Sequence, residues 1–251
     1  MLLHGQPGAG SDWAAVIERL TPQFRPLALD RPGYRSSPHP PGDFTANARA
    51  VLAELDAAGI DRAVLVGHSY GGGVALTTAA LAPDRVSGLI LLASIGPGCL
   101  NGWDTLLAAP VAGPVCALAA WWLTPWFARA RLALARRIRG RPLDIGELAN
   151  WDVWARAHHE YGAVWRTFLT EQRSLVRDLN ALVAGIPDIH VPALILADPA
   201  DTMVPIATAH ALCDLLPDAR LRLIDHGGHQ PARRAPQAVA DAIVAFHDVR
   251  G

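Results

Sequence analysis

The run Gly67-His68-Ser69-Tyr70-Gly71 sets a serine one residue away from a glycine on each side. Val64-Leu65-Val66 before it reads as a buried strand, and Val74 to Leu81 after it as a helix. Small residues on both sides allow the tight strand-to-helix turn that lifts a hydroxyl clear of a sheet. The same turn would put the Tyr70 amide at a helix N-terminus, aimed where an oxyanion forms. The chemistry predicted is attack by Ser69 on an acyl-like carbonyl carbon.

A serine hydroxyl needs a base to take its proton, and that base needs an acid to hold its tautomer. Of ten histidines, His229 closes the turn Asp225-His226-Gly227-Gly228-His229, after the strand-like Arg220 to Ile224 and before the final helix. A residue there projects from the carboxyl end of a strand, where open α/β sheets put their sites. His229 is preferred because it follows the glycine pair, with His226 as competitor. The acid should end the preceding strand, where Leu196-Ala197-Asp198-Pro199-Ala200-Asp201 offers Asp201 and, as the alternative, Asp198. Either could instead be an ordinary turn or capping aspartate. At the amino terminus, Leu2-Leu3-His4-Gly5-Gln6-Pro7-Gly8 reads as a strand end and glycine-rich turn, in which the Gln6 amide can be a second oxyanion donor.

These residues need elements to carry them. Leu27-Ala28-Leu29, Ala63 to Val66, Leu89 to Leu92 and Ala193 to Leu196 are short apolar runs bounded by turn residues, as in parallel strands covered on both faces. Between them, Thr45 to Ala58 has Val51, Leu52 and Leu55 at helical spacing, with Gly59 at the C-terminal end. From Ile95 to Ile189 the strand signals vanish, and seven of the eight tryptophans fall there. After Pro192 the first pattern resumes. The prediction is an α/β core, 1–94 and 191–251, interrupted by a helical cap, 95–190. Most cap tryptophans should build the cap's own core, while Trp121, Trp122 and Trp154 are candidates to line an apolar substrate pocket.

Several classes of function are excluded by composition. A net charge of -1 gives no electrostatic reason to expect nucleic acid. All 22 basic side chains are Arg, which removes Schiff-base and P-loop lysines. Three scattered cysteines form no disulfide framework or zinc knuckle, and Met1 leads into no signal-peptide pattern, so a cytoplasmic protein is expected. Leu106 to Leu123 is eighteen residues without a charge, but Pro110, Gly113 and Pro114 break it, so no transmembrane span is expected. His158-His159-Glu160 lacks the i, i+4 spacing of a metal-binding helix, so neither metal nor cofactor is expected.

Together these motifs resemble the α/β-hydrolase-fold family, in its serine hydrolase form with a helical cap. His4 to Gly8 resembles the oxyanion loop, Asp30-Arg31-Pro32-Gly33-Tyr34-Arg35-Ser36-Ser37 a D-x-x-G-x-G-x-S-type loop, and Gly67 to Gly71 the nucleophile elbow. Asp201-Thr202-Met203-Val204-Pro205 resembles the acid loop, and Gly228-His229 the histidine loop; the resemblance selects Asp201 over Asp198 and His229 over His226. It implies a mostly parallel sheet flanked by helices, with the cap inserted after the family's sixth strand and the family's first two strands apparently absent. Tyr34 stands where that loop often has glycine. The implied activity is cleavage of an ester, thioester or lactone of a small, largely apolar substrate. A carbon–carbon bond hydrolase, a cofactor-free perhydrolase or a non-catalytic small-molecule binder are the alternatives. Serine rather than aspartate at position 69 speaks against the dehalogenases and epoxide hydrolases of this fold.

Overall fold

A computed structural model describes residues 1–20, 22, 24–140 and 164–248. The apolar runs form six strands among the described residues: β1 (Leu2–Leu3), β2 (Ala28–Leu29), β3 (Ala63–His68), β4 (Val86–Leu92), β5 (Ala193–Ala197) and β6 (Ala219–Leu223). They lie in the order β2-β1-β3-β4-β5-β6, and every pairing is parallel. Because successive side chains on a strand point to opposite faces, the runs divide between two cores. Leu3, Leu65, Leu89 and Leu91 join one apolar cluster; Leu2, Val66, Ile90 and Leu92 join the other. β6 closes one edge and carries exposed Arg220 and Arg222, charges that discourage further strand pairing.

Helices α1 (Phe44–Ala57) and α2 (Tyr70–Leu81) cover the first face. They share it with α5 (Val164–Gly185) and α6 (Ile206–Leu215). The second face is covered by Trp13, Val16 and α7 (Pro236–Asp248). Local chemistry sets the ends of α1. The Ala46 amide donates to Asp43 Oδ1 at 2.9 Å, capping the first turn, and Gly59 follows the helix at φ 64°. β4 starts three residues earlier than its apolar run. Gly88, which reads as a turn residue, lies inside the strand opposite Val64, with the Phe246 ring against its bare Cα.

Between β4 and β5 the described α-helices are α3 (Gly102–Ala108), α4 (Ala112–Arg139) and then α5. The chain bends by 103° between α3 and the start of α4. Pro110 lies in that break, and Pro114 in the first turn of α4, where a missing N–H costs no helical hydrogen bond. Among the described residues no single helix is long and apolar enough to cross a membrane.

Three of the four tryptophan side chains described in this segment depart from the expectation of a core role. Trp103, Trp122 and Trp126 are 63–71% exposed, and among the described tryptophan side chains of this segment only Trp165 packs on the small cluster of Ala117, Phe168 and Leu169. α4 buries Gly113 and Ala117 toward α3 and α5, while Val115, Leu118, Trp122 and Trp126 face outward, a division that composition does not reveal. The Trp121 side chain, Trp151, Trp154 and His158-His159-Glu160 lie outside the described residues.

The connections position the site. From β1 the chain moves to β2 on one side, then returns past β1 to β3 on the other. The loops leaving β1 and β3 therefore part at a topological switch point, where open α/β sheets form their binding crevice. Residues 4–8 follow β1, and Ser69 follows β3.

Candidate active site

Ser69 sits at φ 53°, ψ −118°, between the last residue of β3 and the first of α2. A non-glycine residue pays for such a backbone, and three hydrogen bonds hold it there. The Ser69 amide donates to Leu92 O at 2.9 Å, while Ser69 O accepts from Gly72 N (2.9 Å) and Ile95 N (3.3 Å). The turn needs bare glycines. A Cβ on Gly67 would meet Gly71 O at 2.4 Å, and one on Gly71 would meet Leu3 O at 2.4 Å.

His229 reaches Ser69 from the loop after β6, with Nε2 3.1 Å from Ser69 Oγ. Its Nδ1 lies 2.9 Å from Asp201 Oδ2. All three side chains are almost wholly buried. A carboxylate only accepts, so Nδ1 carries the proton, and the Nε2 lone pair is left to accept from the serine hydroxyl. Burial pushes the Asp201 carboxyl up, but His229 and the amides of Met203 and Val204 outweigh it and hold the group below the usual aspartate range.

The two rejected candidates have other places. Asp198 is buried, accepting from Ala200 N at 2.7 Å and from Gly228 N at 2.7 Å. It thereby ties the acid loop to the histidine loop. His226 is exposed at φ 64°.

His68 turns its ring under the same loop, and its Nε2–H donates to His229 O at 2.6 Å. Burial first, and His229 second, depress its pKa to about 3. Unfolded, the same imidazole titrates near 6.5. Between those values the unfolded chain binds a proton that the folded chain refuses, so stability rises with pH and is lost on acidification from 6.5 toward 3. Across the whole window the loss is about 5 kcal/mol. His68→Gln keeps an N–H for His229 O and removes the titration. Its melting temperature should fall less steeply than wild type between pH 6.5 and 4; parallel profiles would contradict this.

The Tyr70 amide is the first of α2, one of the N–H groups with no acceptor inside the helix. The Tyr70 ring points away, stacked on Phe44 at 4.4 Å. Gln6 follows Gly5, whose Cα faces Ser69 so closely that a Cβ would lie 3.2 Å from the serine Cβ. The Gln6 side chain donates through Nε2 to Gln172 Oε1 at 2.7 Å, and Gln172 Nε2 donates to Asp104 Oδ1 at 2.9 Å. The Asp104 carboxylate orients both amides. Gln6 Oε1 is left a buried acceptor without a donor among the described residues. Of the pocket candidates, Trp122 is exposed on α4, while Trp121 and Trp154 are outside the described side chains.

Sequence reasoning missed a buried cluster beside this loop: Arg31, Tyr34, Asn47 and Glu171. No local signal could have found it, since Arg31 and Glu171 are 140 residues apart. It also corrects the reading of Tyr34. The glycine-like backbone falls on Arg35, at φ 36°, while Tyr34 is fully buried and donates to Glu171 Oε2 at 2.6 Å.

A family model described as alpha/beta hydrolase fold matches residues 1–231. The chain is an α/β hydrolase. Among relatives of this α/β hydrolase is a protein of Stutzerimonas stutzeri (strain A1501), provisionally named carbamate hydrolase RutD. It is 30% identical over 249 residues, covering 91% of this chain and 83% of that one. The 2-hydroxymuconate semialdehyde hydrolase of Pseudomonas sp. (strain CF600) is 29% identical over 240 residues, covering 91% and 79%. The esterase EaEST from Exiguobacterium antarcticum superposes with a TM-score of 0.76 at 19% identity, over 98% of this chain and 90% of that chain; this likeness concerns the fold alone.

Proposed function

We propose that this α/β hydrolase is a serine hydrolase that cleaves an ester, thioester or lactone of a small, largely apolar substrate. The observation that carries the reading is the unbroken hydrogen-bonded order Ser69–His229–Asp201, at 3.1 and 2.9 Å. His229 Nε2 takes the hydroxyl proton as Ser69 Oγ bonds to the carbonyl carbon. The oxyanion is held by the amides of Gln6 and Tyr70. Collapse of the tetrahedral intermediate expels the leaving group, which takes the proton from His229 and leaves an acyl-enzyme on Ser69. Water, deprotonated by the same imidazole, then releases the acid. Asp201 stays ionised throughout and stabilises the imidazolium.

The likeness to the semialdehyde hydrolase favours one second reading, carbon–carbon bond hydrolysis by the same three residues. A fluorophosphonate probe tests the part common to both. Wild type should be labelled at Ser69, and Ser69→Ala should not. A folded wild-type protein that stays unlabelled would sink both readings. Acyl esters of graded chain length, compared with a vinylogous 1,5-diketone, then separate them.

A further inference from the structure

An oxyanion donor is useful only if its peptide cannot drift, and β1, two residues long, is a short anchor for residues 4–6. Arg31 supplies more. Its fully buried guanidinium donates through Nε to His4 O at 2.8 Å and through Nη2 to Gly5 O at 2.9 Å, so it bridges the two carbonyls just before Gln6. Its outer edge is paired with Glu171, Nη1 to Oε1 and Nη2 to Oε2 (3.2 Å), with Asn47 Oδ1 accepting a further bond at 3.0 Å. Tyr34 OH takes up the remaining capacity of Glu171 Oε2 at 2.6 Å. Glu171 lies on α5, a helix of the insertion between β4 and β5. The next residue, Gln172, makes the second tie, to the Gln6 side chain.

Docking α5 does not require this ion pair. Leu175 and Leu179 already bury that helix in the main core cluster. Two buried charges add little net stability over a well-packed apolar pair, because each loses its hydration. What an apolar pair could not do is hold two backbone carbonyls in place. We propose that Glu171 is a positioning residue: acting through Arg31, it fixes the backbone of residues 4–6, so that the placement of α5 is transmitted to the oxyanion donor at Gln6. This inference rests on the reading of Ser69 as nucleophile and of the Gln6 amide as oxyanion donor.

The test compares wild type with Glu171→Gln, and with the double variant Arg31→Met/Glu171→Met, which replaces the pair by apolar side chains of similar length and keeps α5 packed. With p-nitrophenyl butyrate, kcat should fall about 10- to 100-fold, the scale of a misplaced catalytic group, while KM changes less than about threefold. Affinity for phenylboronic acid, whose tetrahedral adduct on serine places an oxygen in the oxyanion site, should weaken by a factor similar to the loss in kcat. Three results would overturn the proposal: wild-type kcat in a folded variant, a kcat loss with unchanged boronate affinity, or unfolding of both variants, which would assign the pair to stability. Failure of the serine hydrolase reading is distinguishable, because wild type itself would then resist fluorophosphonate labelling.

Discussion

Replacing His229 by alanine is expected to lower kcat about a million-fold, Ser69→Ala by as much, and the double variant by no more than either, since the two act as one unit. Asp201→Asn should cost about 10,000-fold, because an asparagine that donates to Nδ1 forces the proton onto Nε2 and removes the lone pair that faces Ser69 Oγ at 3.1 Å. Asp198→Asn is the informative control. Among the described residues its carboxylate accepts from the amides of Ala200 and Gly228, so the change should lower the melting temperature and leave kcat within about tenfold of wild type. The measurement is kcat on p-nitrophenyl butyrate, normalised to the folded fraction. If Asp198→Asn proved as damaging as Asp201→Asn, the assignment of the acid would be wrong.

The largest expected loss of stability is at Gly71. A Cβ there would stand 2.4 Å from Leu3 O and 2.6 Å from His4 O, both backbone atoms. Backbone of this kind cannot step aside. β1 is paired with β2 on one side and β3 on the other, and Arg31 holds the His4 carbonyl. Gly71→Ala must therefore push α2 off the sheet, and a cost above about 4 kcal/mol is expected. That is most of the margin of an ordinary domain, so the variant should be insoluble or melt far below wild type. Gly102→Ala, whose added methyl meets nothing within 4 Å beyond its chain neighbours and its own helix backbone, should melt like wild type. Urea unfolding followed by circular dichroism compares them. A Gly71→Ala protein with a wild-type midpoint would show that the elbow is looser than its contacts imply.

The parts legible in the sequence are those built by neighbours in the chain. The elbow is one: strand, glycine, serine and helix N-terminus are consecutive, so residue types and spacing already imply the turn. Gly59 after α1 and the bend at Pro110 are local in the same way. Strand limits were less legible, because pairing decides them; Gly88 belongs to β4 only because Val64 lies opposite it. The tryptophans between β4 and β5 were not legible, since an apolar side chain does not declare whether a partner covers it. Trp122 and Trp126 face outward from α4 while Gly113 and Ala117 face in.

By itself, then, the sequence determined a buried parallel sheet, a strained serine turn at its carboxyl edge, and a short set of bases and acids in the order Ser, Asp, His. Resemblance chose Asp201 and His229 from that set. Only the tertiary structure decided that Asp198 clamps two loops while Asp201 meets His229, that His68 braces the histidine loop, and that Arg31 and Glu171 pin the carbonyls before Gln6. The reason is physical. Hydrogen bonds and ion pairs act over about 3 Å of space, and folding brings together groups 26 to 161 residues apart in the chain, a separation at which no periodicity or local propensity survives.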